Sequence, residues 1–146
     1  MSKSGRNVRV GIVGIGFGQQ VHLPAFQSHP KCEVVAICAS NQERALGASA
    51  RHSLDKSYGD WMELVEDVEI DAISIATPPK VQPEIALSAL SRGKAVYCEK
   101  PLATSKATAS HMAAAADQAS VANMVGFQFG EIEAWRRAKA ILERGA

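Results

Sequence analysis

Two short stretches hold residues that can do chemistry. The first is Glu99-Lys100-Pro101, which ends the apolar run "AVYC". A turn needs neither opposite charges nor a rigid ring. A lysine held at a strand end offers an ammonium to a hydroxyl or a carbonyl, and burial or a neighbouring cation lets a lysine exchange protons nearer neutrality. The same residues also read as a surface ion pair on a loop, worth about 0–1 kcal/mol. Spacing alone leaves the two readings level. The second stretch is "GIGFGQQ" (14–20), directly after the β-branched run "VRVGIV". Gly14 and Gly16 have the spacing of the first two glycines of a dinucleotide fingerprint. The first permits a tight turn, and the second lets the backbone approach a pyrophosphate at a helix N-terminus. The third position is Gln19, with Gly18 one residue early. That departure bears on how closely helix and strand pack, and an outward-turned Gln19 is tolerable. A lone G-x-G is also what any strand-to-helix turn can use. Its place after the first strand of an alternating pattern favours the nucleotide.

The elements that must position these residues follow from periodicity. "VRVGIVG" (8–14), "EVVAICA" (33–39), "DAISIAT" (71–77), "AVYCEK" (95–100) and "NMVGFQF" (123–129) are nearly continuous apolar runs, as strands buried on both faces are. A short strand fits near Ser57–Tyr58. Between the runs lie helical patterns. Asn41 caps "QERALGASARH", Asp60 caps "WMELVED", and Gly93 stops "VQPEIALSALSRG". Thr104 or Ser105 opens an alanine-rich helix over 106–119, and Gly145 stops "EIEAWRRAKAILERG". Pro24 breaks or restarts the first helix. Strands alternating with helices give an α/β, doubly wound, mostly parallel sheet in a single domain.

Composition narrows the function classes. Sixteen basic and fifteen acidic residues leave a net charge of +1, so no basic field points to nucleic acid or an anionic membrane. No apolar run approaches the ~20 residues of a membrane helix, and "MSKSGRNVRV" has no signal-peptide core. The expected location is cytoplasmic. Three cysteines at 32, 38 and 98 fit neither a disulfide framework nor a zinc site, and they read as buried thiols. The four histidines are scattered without metal-ligand spacing.

Ligands of a doubly wound sheet bind outside the carboxyl ends of its strands. Read in order, those ends are Gly14–Gly18, Ala39-Ser40-Asn41, Ala76-Thr77-Pro78, Glu99-Lys100 and Phe127-Gln128. Lys100 therefore shares a rim with the glycine turn, where its ammonium would meet a hydroxyl or carbonyl beside a nicotinamide. An NAD-binding domain usually carries Asp or Glu at the end of the second strand. Here the end is Ala39-Ser40-Asn41, with Arg44 one turn into the helix. Small hydroxyl and amide groups with an arginine suit a 2′-phosphate, so NADP is favoured over NAD. A solvated helix face is the other reading of Arg44.

"GIVGIGFGQQVHLPAF", "AISIATPPK", "EIALSALSRGKAVYCEKPLA" and "MVGFQF" together resemble the N-terminal half of the Gfo/Idh/MocA oxidoreductases, the glucose–fructose oxidoreductase and inositol dehydrogenase family. The resemblance covers nearly all of the chain from Val8 onward, and the E-K-P triplet is its more specific part. It implies that Lys100 is the lysine at the nicotinamide and substrate, with Glu99 close to the cofactor. It also implies that Thr77 and Pro78 border the nucleotide, and that Gly16, Phe17 and Gly18 supply backbone to the pyrophosphate. Three positions depart from the family pattern. Gln82 stands where histidine is common, Gly130 where arginine is common, and Ala39 near the acid of NAD-dependent members.

The resemblance also implies a second, antiparallel domain that carries substrate contacts. The expected division is a tail over 1–7, a dinucleotide domain over 8–130, and a helix over 131–146 leading to a domain this sequence lacks. That helix carries Ile132, Trp135, Ala138 and Leu142 along one face, to be covered by the cofactor domain or by the missing one. The implied activity is hydride transfer between NAD(P) and a sugar-like or cyclitol-like small molecule. Turnover by this chain alone is expected to be poor, and a homo-oligomer is possible. Two alternatives stand beside it: a non-catalytic module that senses NADP(H), and a retained-cofactor enzyme that cleaves glycosides through transient oxidation.

Overall fold

The computed structural model describes residues 5–145; residues 1–4 of the expected tail and Ala146 lie outside the described residues. Six parallel strands form one sheet in the order β3-β2-β1-β4-β5-β6. They are β1 (Val8–Val13), β2 (Cys32–Cys38), β3 (Lys56–Tyr58), β4 (Ala72–Ile75), β5 (Ala95–Glu99) and β6 (Asn123–Gly126). The helices are α1 (Leu23–Gln27), α2 (Gln42–His52), α3 (Trp61–Glu66), α4 (Gln82–Ser91), α5 (Lys106–Gln118) and α6 (Glu133–Glu143). The strand order reverses between β1 and β4, which opens the crevice where such sheets bind ligands.

Local chemistry sets the boundaries. The Asn41 side chain accepts from the Arg44 amide at 2.9 Å, and Asp60 accepts from the Met62 amide at 2.9 Å. Ser105, rather than Thr104, caps α5 through the Thr108 amide. Gly93 and Gly145 end their helices with φ of +69° and +76°. The final strand is shorter than its apolar run suggests. It stops at Gly126, and Gln128–Glu131 form a 3-10 turn.

Apolar side chains fill both faces. Ile73, Ile75, Ile85, Val96, Cys98 and Met112 pack in one cluster. Val10, Ile12, Leu23, Val34 and Ile37 pack in the other. Burial pushes the Cys38 and Cys98 thiols up to about 12, so both are inert packing groups. Cys32 is only half-buried. Among the described residues, no helix is long and apolar enough to cross a membrane, and no cluster could hold a metal ion.

Charged groups clamp the opposite pole of the sheet. The guanidinium of Arg6 makes two bonds to the Asp71 carboxylate, at 2.8 and 2.6 Å. Lys94 is buried, and its Nζ donates to the carbonyls of Asp67 and Ile70. Asp67 accepts from Lys56 Nζ and Tyr58 Oη, each at 2.6 Å, and Lys56 also pairs with Glu69. Burial works to raise the Asp67 carboxyl, but the bonds from Lys56 and Tyr58 win and hold it at about 2. A carboxyl depressed below its ordinary 3.8 adds stability above that value, and the gain is lost as pH falls through the folded value. Asp67→Asn is thus expected to lower the melting temperature at pH 7 by about 3–6 °C. The gap to the wild type should close between pH ~4 and ~2. Thermal melts at stepped pH read this directly.

Candidate active site at the strand ends

The turn after β1 is built on glycine. Gly14 has φ +113°, and a Cβ there would lie 2.3 Å from the Ala76 carbonyl oxygen. The Ala76 amide in turn bonds to the Val13 carbonyl at 2.9 Å, so β1 and β4 meet at this point. Gly16 is the opposite case. A Cβ on it would meet no atom within 4 Å, which leaves its backbone open to an approaching phosphate. Gly18 takes the close-packing role that the fingerprint assigns to its third position. A Cβ there would lie 3.1 Å from Ile12 Cγ2 and 3.2 Å from the Ala76 Cβ. A π-helical turn over Gly18–His22, closed by the Leu23 amide on the Gly18 carbonyl, seats Gly18 there one residue early. Gln19 is half-buried, with its Nε2 2.9 Å from His52 Nε2. Pro24 then restarts the chain as α1 from within its first turn.

At the end of β2, Ala39 is buried and no carboxylate follows it. Arg44 Nη1 donates to Ser40 Oγ at 2.8 Å, which holds the guanidinium across the strand tip. Asn41 points its oxygen inward as the cap of α2. At the end of β4, Pro78 is exposed, and Thr77 Oγ1 is buried without a protein partner. Gln128 Oε1, past β6, is likewise buried without one. Two expected cofactor contacts thus keep an unmet hydrogen-bonding atom, and a buried atom of that kind calls for a partner.

The Glu99-Lys100-Pro101 turn is held from several sides. Glu99 is buried, and its Oε2 accepts from the Lys100 amide at 3.0 Å. The Lys100–Pro101 peptide is cis. Gln82, fully buried, donates from Nε2 to the carbonyls of Glu99 at 3.1 Å and Pro101 at 2.7 Å. The departure at position 82 therefore keeps the turn in place. The Lys100 side chain itself is exposed.

Sequence reasoning missed His22. It is 4% exposed, with Nδ1 2.9 Å from Ser74 Oγ and Nε2 3.3 Å from Glu99 Oε1. Its ring meets Phe17 and Tyr97 in T-shaped contacts at 5.3 and 5.0 Å. Burial lowers its pKa below 6.5, outweighing Glu99, which acts to raise it. Its position was the available signal: four residues past Gly18, it shares the face of the turn that meets the sheet.

An apolar cleft of about 370 Å³ adjoins this rim, lined by Phe17, Val21, His22, Phe26, Tyr97 and Gln128 among others. A larger hollow of about 650 Å³ lies at the opposite pole, around Ile70, Asp71, Arg92 and Lys94. None of the expected site residues lines it. No residue of α6 is buried; Trp135 and Leu142 are 62% and 72% exposed. The cofactor domain therefore does not cover that stripe.

The family model described as "Oxidoreductase family, NAD-binding Rossmann fold" (GFO_IDH_MocA) matches residues 8–127. The chain belongs to this family. Levoglucosan dehydrogenase of Pseudarthrobacter phenanthrenivorans is 32% identical over 149 aligned residues, covering 97% of this chain and 38% of that protein. A solved structure of a levoglucosan dehydrogenase in complex with NADH and levoglucosan superposes with a TM-score of 0.88 at 32% identity, covering 97% of this chain and 40% of that one. A 3-ketoreductase from Actinomadura kijaniata in complex with NADP also reaches 0.88, at 28% identity, covering 97% and 45%. The chain thus spans about two fifths of the length of these Gfo/Idh/MocA proteins.

Proposed function

We propose that this chain binds a nicotinamide dinucleotide across the β1/β4 crevice. It presents Lys100 for hydride transfer between that dinucleotide and a hydroxyl or ketone carbon of a sugar, cyclitol or similar small molecule. Residues 8–130 are the dinucleotide unit, and the helix α6, Glu133–Glu143, leads away from it. One observation carries the reading. The open backbone of Gly16 and the Lys100 turn stand on one rim, joined through Phe17, His22 and Glu99. Thr77 Oγ1 and Gln128 Oε1, buried without protein partners, support it as atoms a cofactor can satisfy.

The nicotinamide supplies the hydride chemistry when bound. The chain supplies orientation and charge. Gly14 and Gly16 form the pyrophosphate turn. Lys100 Nζ holds or takes the proton at the reacting oxygen. Ser40 and Arg44 suit a 2′-phosphate, because their bonded pair sits where an acid would repel one. NADP is therefore preferred to NAD.

Titration calorimetry with NADPH and NADH tests both parts. The wild-type chain is expected to bind both, with NADPH tighter. Arg44→Ala should weaken NADPH by about tenfold and NADH by less than about twofold. No binding of either dinucleotide at millimolar concentration overturns the function. Equal weakening of the two overturns the preference.

A further inference from the structure

We propose that His22 is a positioning residue: it holds the Glu99 carboxylate, the carboxylate holds the backbone of Lys100, and the same ring ties that turn to Phe17 of the glycine turn. The role rests on the reading of Lys100 given above, but its geometry can be tested apart from it. The argument begins with hydrogen bookkeeping. Glu99 Oε1 faces His22 Nε2, and an ionised carboxylate only accepts. Nε2 must therefore carry a proton. Nδ1 then accepts from the Ser74 hydroxyl, which is wholly buried and sits 2.9 Å away. A neutral imidazole protonated at Nε2 satisfies every atom of this chain. An imidazolium would point a second N–H at Ser74 and strand the serine proton. The alternative tautomer would set a lone pair against a carboxylate.

The groups packed on the ring come from several elements. Phe17 belongs to the glycine turn, Ser74 to β4, and Tyr97 and Glu99 to β5. Of these only Glu99 carries a carboxyl group. Gly126 of β6 closes the arrangement. A Cβ there would lie 2.8 Å from Glu99 Oε1 and 3.0 Å from Tyr97 Oη, so glycine leaves the carboxylate its room. His22 also lines the apolar cleft beside the rim, where water has little means of replacing its bonds. The strands β4 and β5 and the glycine turn thus converge on one imidazole, and β6 backs its carboxylate partner. A side chain that orients another at this range governs geometry to a fraction of an ångström, which is the tolerance such sites need.

Nitrogen-15 NMR on the whole chain decides the matter. At neutral pH the His22 ring is expected as the Nε2–H tautomer. The Lys100 amide proton should resonate downfield, as a donor to a carboxylate does. His22→Leu should move that amide upfield and weaken NADPH by about tenfold. His22→Gln, whose amide nitrogen can still donate to Glu99, should keep the amide in place and stay within about threefold in affinity. Gly126→Ala should move the amide upfield with His22 intact, and it carries the test together with His22→Gln if the leucine variant does not fold. An unmoved Lys100 amide in folded His22→Leu, or a ring seen as imidazolium or Nδ1–H, overturns the proposal. If the wild type binds neither NADPH nor NADH, the cofactor reading fails, while tautomer and amide still decide the role of His22.

Discussion

Gly14→Ala is expected to melt about 10–15 °C below the wild type and to bind no dinucleotide, which corresponds to roughly 3–5 kcal/mol in a domain of this size. The cause is a clash between backbone atoms. The added Cβ would sit 2.3 Å from the Ala76 oxygen and 2.9 Å from its carbonyl carbon. Neither atom belongs to a flexible side chain, and φ of +113° already disfavours any L side chain. Relief requires β1 and β4 to part, and their contact is the floor of the crevice. Gly16→Ala is the control. Its Cβ meets nothing within 4 Å, so the melting temperature should hold. Its dinucleotide affinity should still fall, because that open space is where the phosphate approaches. Differential scanning calorimetry paired with NADPH titration separates the two. A Gly16→Ala chain that binds as well as the wild type would place the pyrophosphate elsewhere.

Lys100→Ala is expected to lower turnover about 10²- to 10⁴-fold in the longest natural form of the protein, while NADPH affinity changes by less than about threefold. The ammonium reaches out from a turn held by Glu99 Oε2 and Gln82 Nε2, so its loss removes a proton donor without loosening the backbone. Lys100→Arg should fail to restore the rate, because a guanidinium keeps its charge but does not give up its proton. Initial rates of NADP reduction with sugar or cyclitol substrates provide the measurement. A module that only senses the cofactor would keep its response in both variants, and that result would remove Lys100 from the chemistry.

The strands and caps were legible because their signals are local. A buried parallel strand must be nearly all apolar, and a cap must be Asn, Asp or Ser at a set distance from an amide. Asn41, Asp60 and Ser105 do what such residues do. The Gly14 turn was legible for the same reason. The role of Gly18 was not, since the π-helical turn that shifts it inward is decided by packing against Ile12 and Ala76. His22 stayed hidden because a lone histidine has no spacing to betray it. Its partners Ser74 and Glu99 lie 52 and 77 residues away. Gln82 was seen only as a departure from a family pattern. Its bonds to the Glu99 and Pro101 carbonyls span 17 and 19 residues, beyond any local rule.

The strand order leaves β3 and β6 outermost, and they meet solvent differently. β3 is three residues long and carries Lys56, whose charge is bound up with Asp67 and Glu69. It offers little backbone for another chain to pair with. β6 ends the other side with Asn123 and Met124 exposed, and Phe127 follows at 70% exposure. Outer strands of that character recruit further strands. Any strand that paired with this sheet would therefore find more free backbone and apolar surface at β6 than at β3, so the sheet could extend from one flank alone.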